Sequence, residues 1–260
     1  MNKFFEDIKK YHRYIWFAIK SELREEVASS YLGWIWWVLE PLCLMFIYAL
    51  VFGVFFKAKE QHFIAFIFLG LSFWNFFNQN LKTAVSLIKK NKSIVSKIYV
   101  PKYILLIVKQ GVYLFKMMVC LLIEIGLMFF CKVNITREVL AIIPIIICLI
   151  LFSFGFCCIF MHLGVYVDDL NNVINILLRF VFYLTGVFYD IGKRVHGALG
   201  RIIRHGNPLA FLIDNGRKTL LYGQKIEWKW LMIWYVVGVF LVVIGVNLIQ
   251  KNENNYVKVL

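Results

Sequence analysis

The residues that could do chemistry in this 260-residue sequence are few. Asp168 and Asp169 form an acidic pair in the stretch VDDLNN. A membrane prenyltransferase would use aspartate-rich motifs to hold magnesium on a diphosphate. That chemistry needs two such clusters and a third aspartate at the right spacing, and only this one cluster is present. Asp and Asn also favour helix N-termini, so capping of the next helix is the stronger reading. The other candidates are ionisable residues inside apolar runs: Lys109, Lys116, Glu124 and Arg179. Lys109 is close enough to a span end to snorkel. Lys116 is deeper and must find a partner or a wet cavity. For Lys116 and Arg179, a substrate path and structural pairing are equally good readings, and Glu40 could partner either. No Walker A motif, His-Glu-x-x-His, Gly-x-Ser-x-Gly or Cys/His cluster occurs. No catalytic or metal site and no cofactor are therefore expected in this chain. The six cysteines, without a Cys-x-x-Cys, read as small buried hydrophobes.

The elements that position these groups must be membrane helices. The chain is 61% hydrophobic with a mean hydropathy of +0.73. Runs of about 20 apolar residues span about 30 Å of hydrocarbon as helix. The expected fold is an all-α integral membrane protein with six spans, at 35–56, 63–81, 104–130, 139–162, 173–189 and 230–249. The second is weakened by Asn75, Asn78, Gln79 and Asn80, and the fifth is short and carries Arg179. Residues 1–34 hold an amphipathic helix, with Phe4, Ile8, Tyr11, Ile15, Ile19 and Leu23 at helical spacing. It fits the membrane interface or the surface of a soluble partner. The first 30 residues are charged and lack an apolar signal core, so the first span is expected to direct insertion. A net charge of +14 suits anionic lipid, an anionic substrate or an acidic partner. Nucleic acid is excluded, because so little of the chain is free in water.

Around the first spans, twelve Lys/Arg lie on the side of the N-terminus and four on the other. The positive-inside rule places both termini in the cytoplasm, including the 250–260 tail. The loop 82–103 is basic, with Lys89 and Lys90, an apolar side from Val85, Ile88, Ile94, Val95, Ile98 and Tyr99, and a break at Pro101. It reads as a docking element for a protein. The outer segment 190–229 is a misfit, because it carries eight basic residues. Two semi-apolar stretches there break at Gly206-Asn207-Pro208, as two half-helices dipping back from the outer face would.

Several segments together resemble the permease subunits of ABC-2 type exporters for polysaccharide, O-antigen or teichoic acid. SYLGWIWW through VFGVFF matches S-x-L-G-x-x-W, then Pro41, then Y-x-x-V-F. IVSKIYVPKY, VYVDDLNNV, TGVFYDI and NPLAFLIDNGRKTLLYG follow in order, the last through Asn207, Pro208 and Arg217. Two positions depart from the family pattern: Glu25-Glu26-Val27 replaces an Arg-Tyr, and Asp168-Asp169 replaces an Arg-Asp. Arg24 could substitute for the first, with Arg179 a second head-group candidate.

The resemblance implies a homodimer in the bacterial cytoplasmic membrane with two P-loop ATPases, which hold the ATP and Mg. The cargo would be an undecaprenyl-diphosphate-type lipid-linked glycan, with its tail left in membrane lipid. Loop 82–103 would couple to the ATPase, and 190–229 would be the outer gate. Sugars present C–H faces to aromatic rings, and weak interchangeable contacts let a polymer slide. Trp34, Trp36, Trp37, Phe180, Tyr183, Phe188 and Tyr189 are the expected path residues. A plain interfacial belt of Trp and Tyr is the competing reading. The alternatives in function are an ABC-2 permease for another lipid, drug or peptide, and a membrane enzyme acting on polyprenyl phosphates.

Overall fold

A computed structural model describes residues 2–28, 31–55, 60–92, 100–195 and 197–259, excepting the side chains at 54, 55, 199 and 257–259. Among the described residues there is helix and no strand. The long helices are α1 (Asn2–Ala28), α2 (Trp36–Tyr48), α3 (Phe63–Lys90), α4 (Lys102–Phe130) and α5 (Ile142–Tyr166). After α6 (Leu170–Leu184) come three shorter helices, α7 (Ile191–Arg194), α8 (Gly197–Gly206) and α9 (Pro208–Leu220). The last is α10 (Trp228–Val259). Pro41 lies inside α2, whose end runs on into a π-helical segment, Ala49–Phe55.

Among the described residues, four segments are long and apolar enough to cross a membrane: Gly33–Gly53, Lys102–Phe130, Arg137–Tyr166 and Trp228–Tyr256. The apolar α6 is shorter. The chain is a multi-pass membrane protein. The expected second span is present as the 28-residue α3, yet α3 is not one of the four apolar segments. The reason is its position: α2, α4, α5, α6 and α9 all pack on it. A helix covered by protein need not match lipid on any face. Its polar residues turn inward on their own backbone, Ser72 Oγ donating to the Phe68 carbonyl at 2.8 Å and Asn80 Nδ2 to that of Phe76 at 2.7 Å. The helix also continues to Lys90, so 82–90 is helix and not loop.

The predicted N-terminal helix is present, and its apolar face covers protein. Phe4 packs on Tyr103, Asp7 accepts a hydrogen bond from the Tyr103 hydroxyl, and Ile19 lies against Gly111. Glu22 and Glu26 reach Lys109 and Lys116. The helix therefore runs alongside the first half of α4. Phe5, Trp16 and Phe17 remain exposed on its other side.

The tightest pairing is α5 on α10. A Cβ on Gly155 would fall 2.7 Å from Leu241 Cβ, and one on Gly245 would fall 2.5 Å from Cys158 Cβ. Small residues let two backbones approach this closely, the usual source of dispersion contact between membrane helices. Residues 250–259 continue α10 as helix. Tyr256 is buried there and shares a 2.8 Å hydrogen bond with His162 Nδ1. Cys120, Cys148, Cys157 and Cys158 are buried free thiols, as expected, whereas Cys43 is exposed on α2.

Candidate substrate path, polar pocket and gate segment

The aromatic residues proposed for a path divide by exposure. Trp34 and Trp36 are exposed at the start of α2, and Phe180 and Tyr183 are exposed on α6. Ile176, Arg179, Phe180 and Tyr183 fall at helical spacing and share that outward face of α6. Phe188 lies elsewhere. It is 5% exposed, stacks on Phe52 at 4.3 Å and meets Tyr48 at 4.8 Å. It therefore packs the junction of the first span with α6 and offers no face to a ligand. Tyr189 is half-buried, its hydroxyl donating to the Tyr183 carbonyl at 2.8 Å.

The deep lysine has a partner, and it is not Glu40. Lys116 Nζ lies 2.7 Å from Glu26 of α1, which also accepts from Trp37 Nε1 at 3.3 Å. Lys109 bridges Glu22 at 2.8 Å in the same way. Acidic residues four apart on α1 thus neutralise bases seven apart on α4. Arg179 and Arg24 are exposed. Beside the Lys116–Glu26 pair, α2, α3 and α4 line an open pocket of about 80 Å³. Trp36, Trp37, Glu40, Asn75, Gln79 and Lys116 are among its lining residues.

At the opposite end of α3, Lys89 Nζ meets Asp168 at 2.6 Å. The Lys89 hydrogen bond and charge hold the Asp168 carboxyl below the ordinary carboxylate range. Asp169 occupies the N-cap position of α6, but its side chain makes no capping bond. The expected cap is therefore replaced by an ion pair one residue earlier. Lys90 is exposed and Pro101 is buried at the N-cap of α4. Ile94, Val95, Ile98 and Tyr99 lie outside the described residues.

The segment 190–229 breaks where its local chemistry requires. Asn207 Oδ1 accepts from the backbone N–H groups of Leu209 and Ala210, and Pro208 starts α9 where its missing N–H costs nothing. Arg217 is buried. Its Nε donates to the Phe66 carbonyl at 3.0 Å, Nη1 to Gly186 at 2.8 Å and Nη2 to Val187 at 2.7 Å. The guanidinium also lies 3.4 Å from the Phe66 ring centroid. One side chain therefore ties α9 to α3 and to the end of α6.

Around it, Glu227 gathers Arg204 at 2.7 Å, His205 at 2.9 Å and Lys218 at 2.6 Å. Asp214 takes Arg204 at 2.8 Å and Lys218 at 3.1 Å, while Lys193 meets Glu60 at 2.6 Å. Burial raises the Glu227 pKa, but hydrogen bonds from Lys218 and His205 and the charges of Lys218 and Arg204 outweigh it, holding the carboxyl at about 2. Three of the eight bases of this segment, Lys193, Arg204 and Lys218, thus meet carboxylates, and a fourth, Arg217, meets carbonyls.

The sequence points to none of Glu26, Glu60, Asp214 or Glu227 as a partner. Glu124 is a further surprise: it is fully buried, and neither carboxyl oxygen has a hydrogen-bond partner among the described residues.

What the helices arrange is partly neutralised charge, exposed rings and a pinned helical hairpin in a multi-pass membrane protein. The profile of the ABC-2 type transporter family matches residues 13–221, and the chain belongs to that family. It is similar to two proteins of Klebsiella pneumoniae named O-antigen export system permease protein RfbA. One is 24% identical over 245 residues and the other 23% over 240, with 92% of each chain covered in both cases. A Myxococcus xanthus protein of the same name is 22% identical over 217 residues, 83% of each chain.

Proposed function

We infer that the chain is the permease subunit of an ABC exporter that moves a lipid-diphosphate-linked cell-surface polysaccharide across the bacterial cytoplasmic membrane. The observation that carries this reading is near full-length similarity to permeases named for O-antigen export, within a family that the profile establishes. Two copies would assemble, with the exposed faces of α2 and α6 toward each other, so that Trp34, Trp36, Phe180 and Tyr183 line the route. Each copy would cross six times, α3 and α6 completing the four apolar spans, with both termini cytoplasmic. Two cytoplasmic P-loop ATPases would supply ATP and Mg, as ABC exporters require.

Loop 82–103 would receive the ATPase stroke. The continuation of α3 to Lys90 and the Lys89–Asp168 bridge support this, since they bring the base of the loop beside the α5–α6 turn. The hairpin of α8 and α9 would close the outer mouth. To test the reading, the tagged chain is purified from its own membranes in mild detergent and its companions are identified. A near-stoichiometric P-loop ATPase is expected, together with loss of surface polysaccharide when the chain is deleted. A lone chain, even after cross-linking, would overturn it.

A further inference from the structure

The pocket between α2, α3 and α4 has hydrogen-bonding capacity that the described residues do not use. Several of its polar groups are satisfied internally. Ser72 bonds the Phe68 carbonyl, Tyr113 bonds Thr83, and Lys116 and the Trp37 indole share Glu26. Four others have no hydrogen-bond or ionic partner among the described residues: the Glu40 carboxylate, the Asn75 and Gln79 amides, and the Trp36 indole N–H. These groups converge on one small space. Trp36 and Glu40 are exposed and Asn75 and Gln79 half-buried, so all four remain open to a ligand that enters the pocket.

The chemistry of the unused groups selects the ligand. Two amides offer both donors and acceptors, the carboxylate only accepts, and the indole only donates. That set matches hydroxyl groups, which donate and accept in turn. It does not match a phosphate or a carboxylate, which need donors alone. The charge agrees. With Lys116 cancelled by Glu26, Glu40 leaves the pocket negative and repels an anion. The indoles of Trp36 and Trp37 add flat apolar faces suited to the C–H side of a ring. At about 10–15 Å³ per water position, 80 Å³ holds roughly five to eight waters, the scale of one sugar ring and too small for two.

We propose that this pocket is a subsite for a single uncharged sugar ring of the exported polymer, read by Glu40, Asn75 and Gln79 and discriminating against acidic sugars. The proposal rests on the reading of the chain as a glycan permease and adds which kind of sugar it accepts.

The test uses the full chain in lipid nanodiscs and saturation-transfer difference NMR, with a methyl hexoside and the matching methyl hexuronide as probes. The neutral probe should receive saturation, and the acidic one should bind at least about tenfold more weakly. Glu40→Leu should abolish transfer to the neutral probe. The milder Glu40→Gln should keep the neutral probe and raise binding of the acidic one, which guards against simple misfolding. Trp16→Ala, on the exposed side of α1, should change nothing. Equal binding of the two probes, transfer that survives Glu40→Leu, or equal loss in Trp16→Ala would overturn the proposal. A wild-type chain that supports polysaccharide export yet shows no transfer removes the pocket alone. A chain that never supports glycan export removes the reading beneath it.

Discussion

Arg217 separates a gate that touches cargo from a gate that is merely held in place. Its guanidinium makes three bonds to main-chain carbonyls and stacks on Phe66, all of it buried. Hydrogen bonds from a charged donor contribute about 1.5–3 kcal/mol each, and removing the ion relieves several kcal/mol of desolvation, so Arg217→Met should cost a net of about 3 kcal/mol. For a chain of this size that is a fall in melting temperature of roughly 6–12 °C. Arg217→Lys should recover little, because one ammonium cannot reach three carbonyls that a planar fork spans. Gly70→Ala attacks the same contact from α3, where a Cβ would fall 2.5 Å from Nη2. It should destabilise in the same direction. The assay is thermal unfolding in detergent followed by tryptophan fluorescence, with export measured in parallel. If Arg217→Met melts within about 2 °C of the wild type while export collapses, Arg217 acts on the cargo and the structural account is wrong.

Lys116→Met or Glu26→Leu alone should loosen α1 from α4 by about 1 kcal/mol, and the double variant should regain most of it, read as protection of α1 from protease. If the two losses add, the pair is incidental. Glu227, held at about 2 against an ordinary 4.5, should stabilise the α8–α9 hairpin above pH 4.5 and lose that contribution as pH falls toward 2. Amide protection across 197–220, taken relative to the intrinsic exchange rate at each pH, should fall over that window, and Glu227→Gln should flatten the profile. Glu124→Met should raise thermal stability by about 1–3 kcal/mol, since it removes a buried carboxyl without a hydrogen-bond partner among the described residues. A fall in stability would mean that the Arg217 charge, or a group outside the described residues, satisfies Glu124. Ala at Trp36 and Tyr183 should slow export of long polymers more than assembly, and normal export of long chains would leave only an interfacial belt.

The parts of the fold that were legible in the sequence are those set by local chemistry. Helical spacing of apolar residues places α1, the length of the apolar runs places α4, α5 and α10, and Gly206-Asn207-Pro208 places the break between α8 and α9. The bounds of α3 were under-read for a physical reason: hydropathy reports what a helix shows to lipid, and α3 shows lipid almost nothing. Exposure separates Phe180 and Tyr183 from Phe188, although all three are aromatic residues near one span. That difference arises where α2 meets α6, and no periodicity within either helix encodes it.

The charged sites show the same boundary between demand and supply. Lys116 in an apolar run announces that it needs either a partner or a wet cavity, and the fold supplies a partner. Its supplier, Glu26, lies 90 positions earlier, in a stretch first marked only as a departure from the family pattern. Arg217 is harder still. Its partners are backbone carbonyls 30, 31 and 151 positions away, and every residue type carries the same carbonyl. A side-chain partner narrows the search to a few residue types, whereas a main-chain partner leaves no trace in composition or spacing. The misfit of eight basic residues in 190–229 therefore counted charges correctly and misjudged their freedom: Lys193, Arg204, Arg217 and Lys218 are held by partners that only the fold brings near. The same logic makes Glu40 informative. It is a charge at the start of a span with no ionic partner among the described residues, which is where a ligand has something to offer.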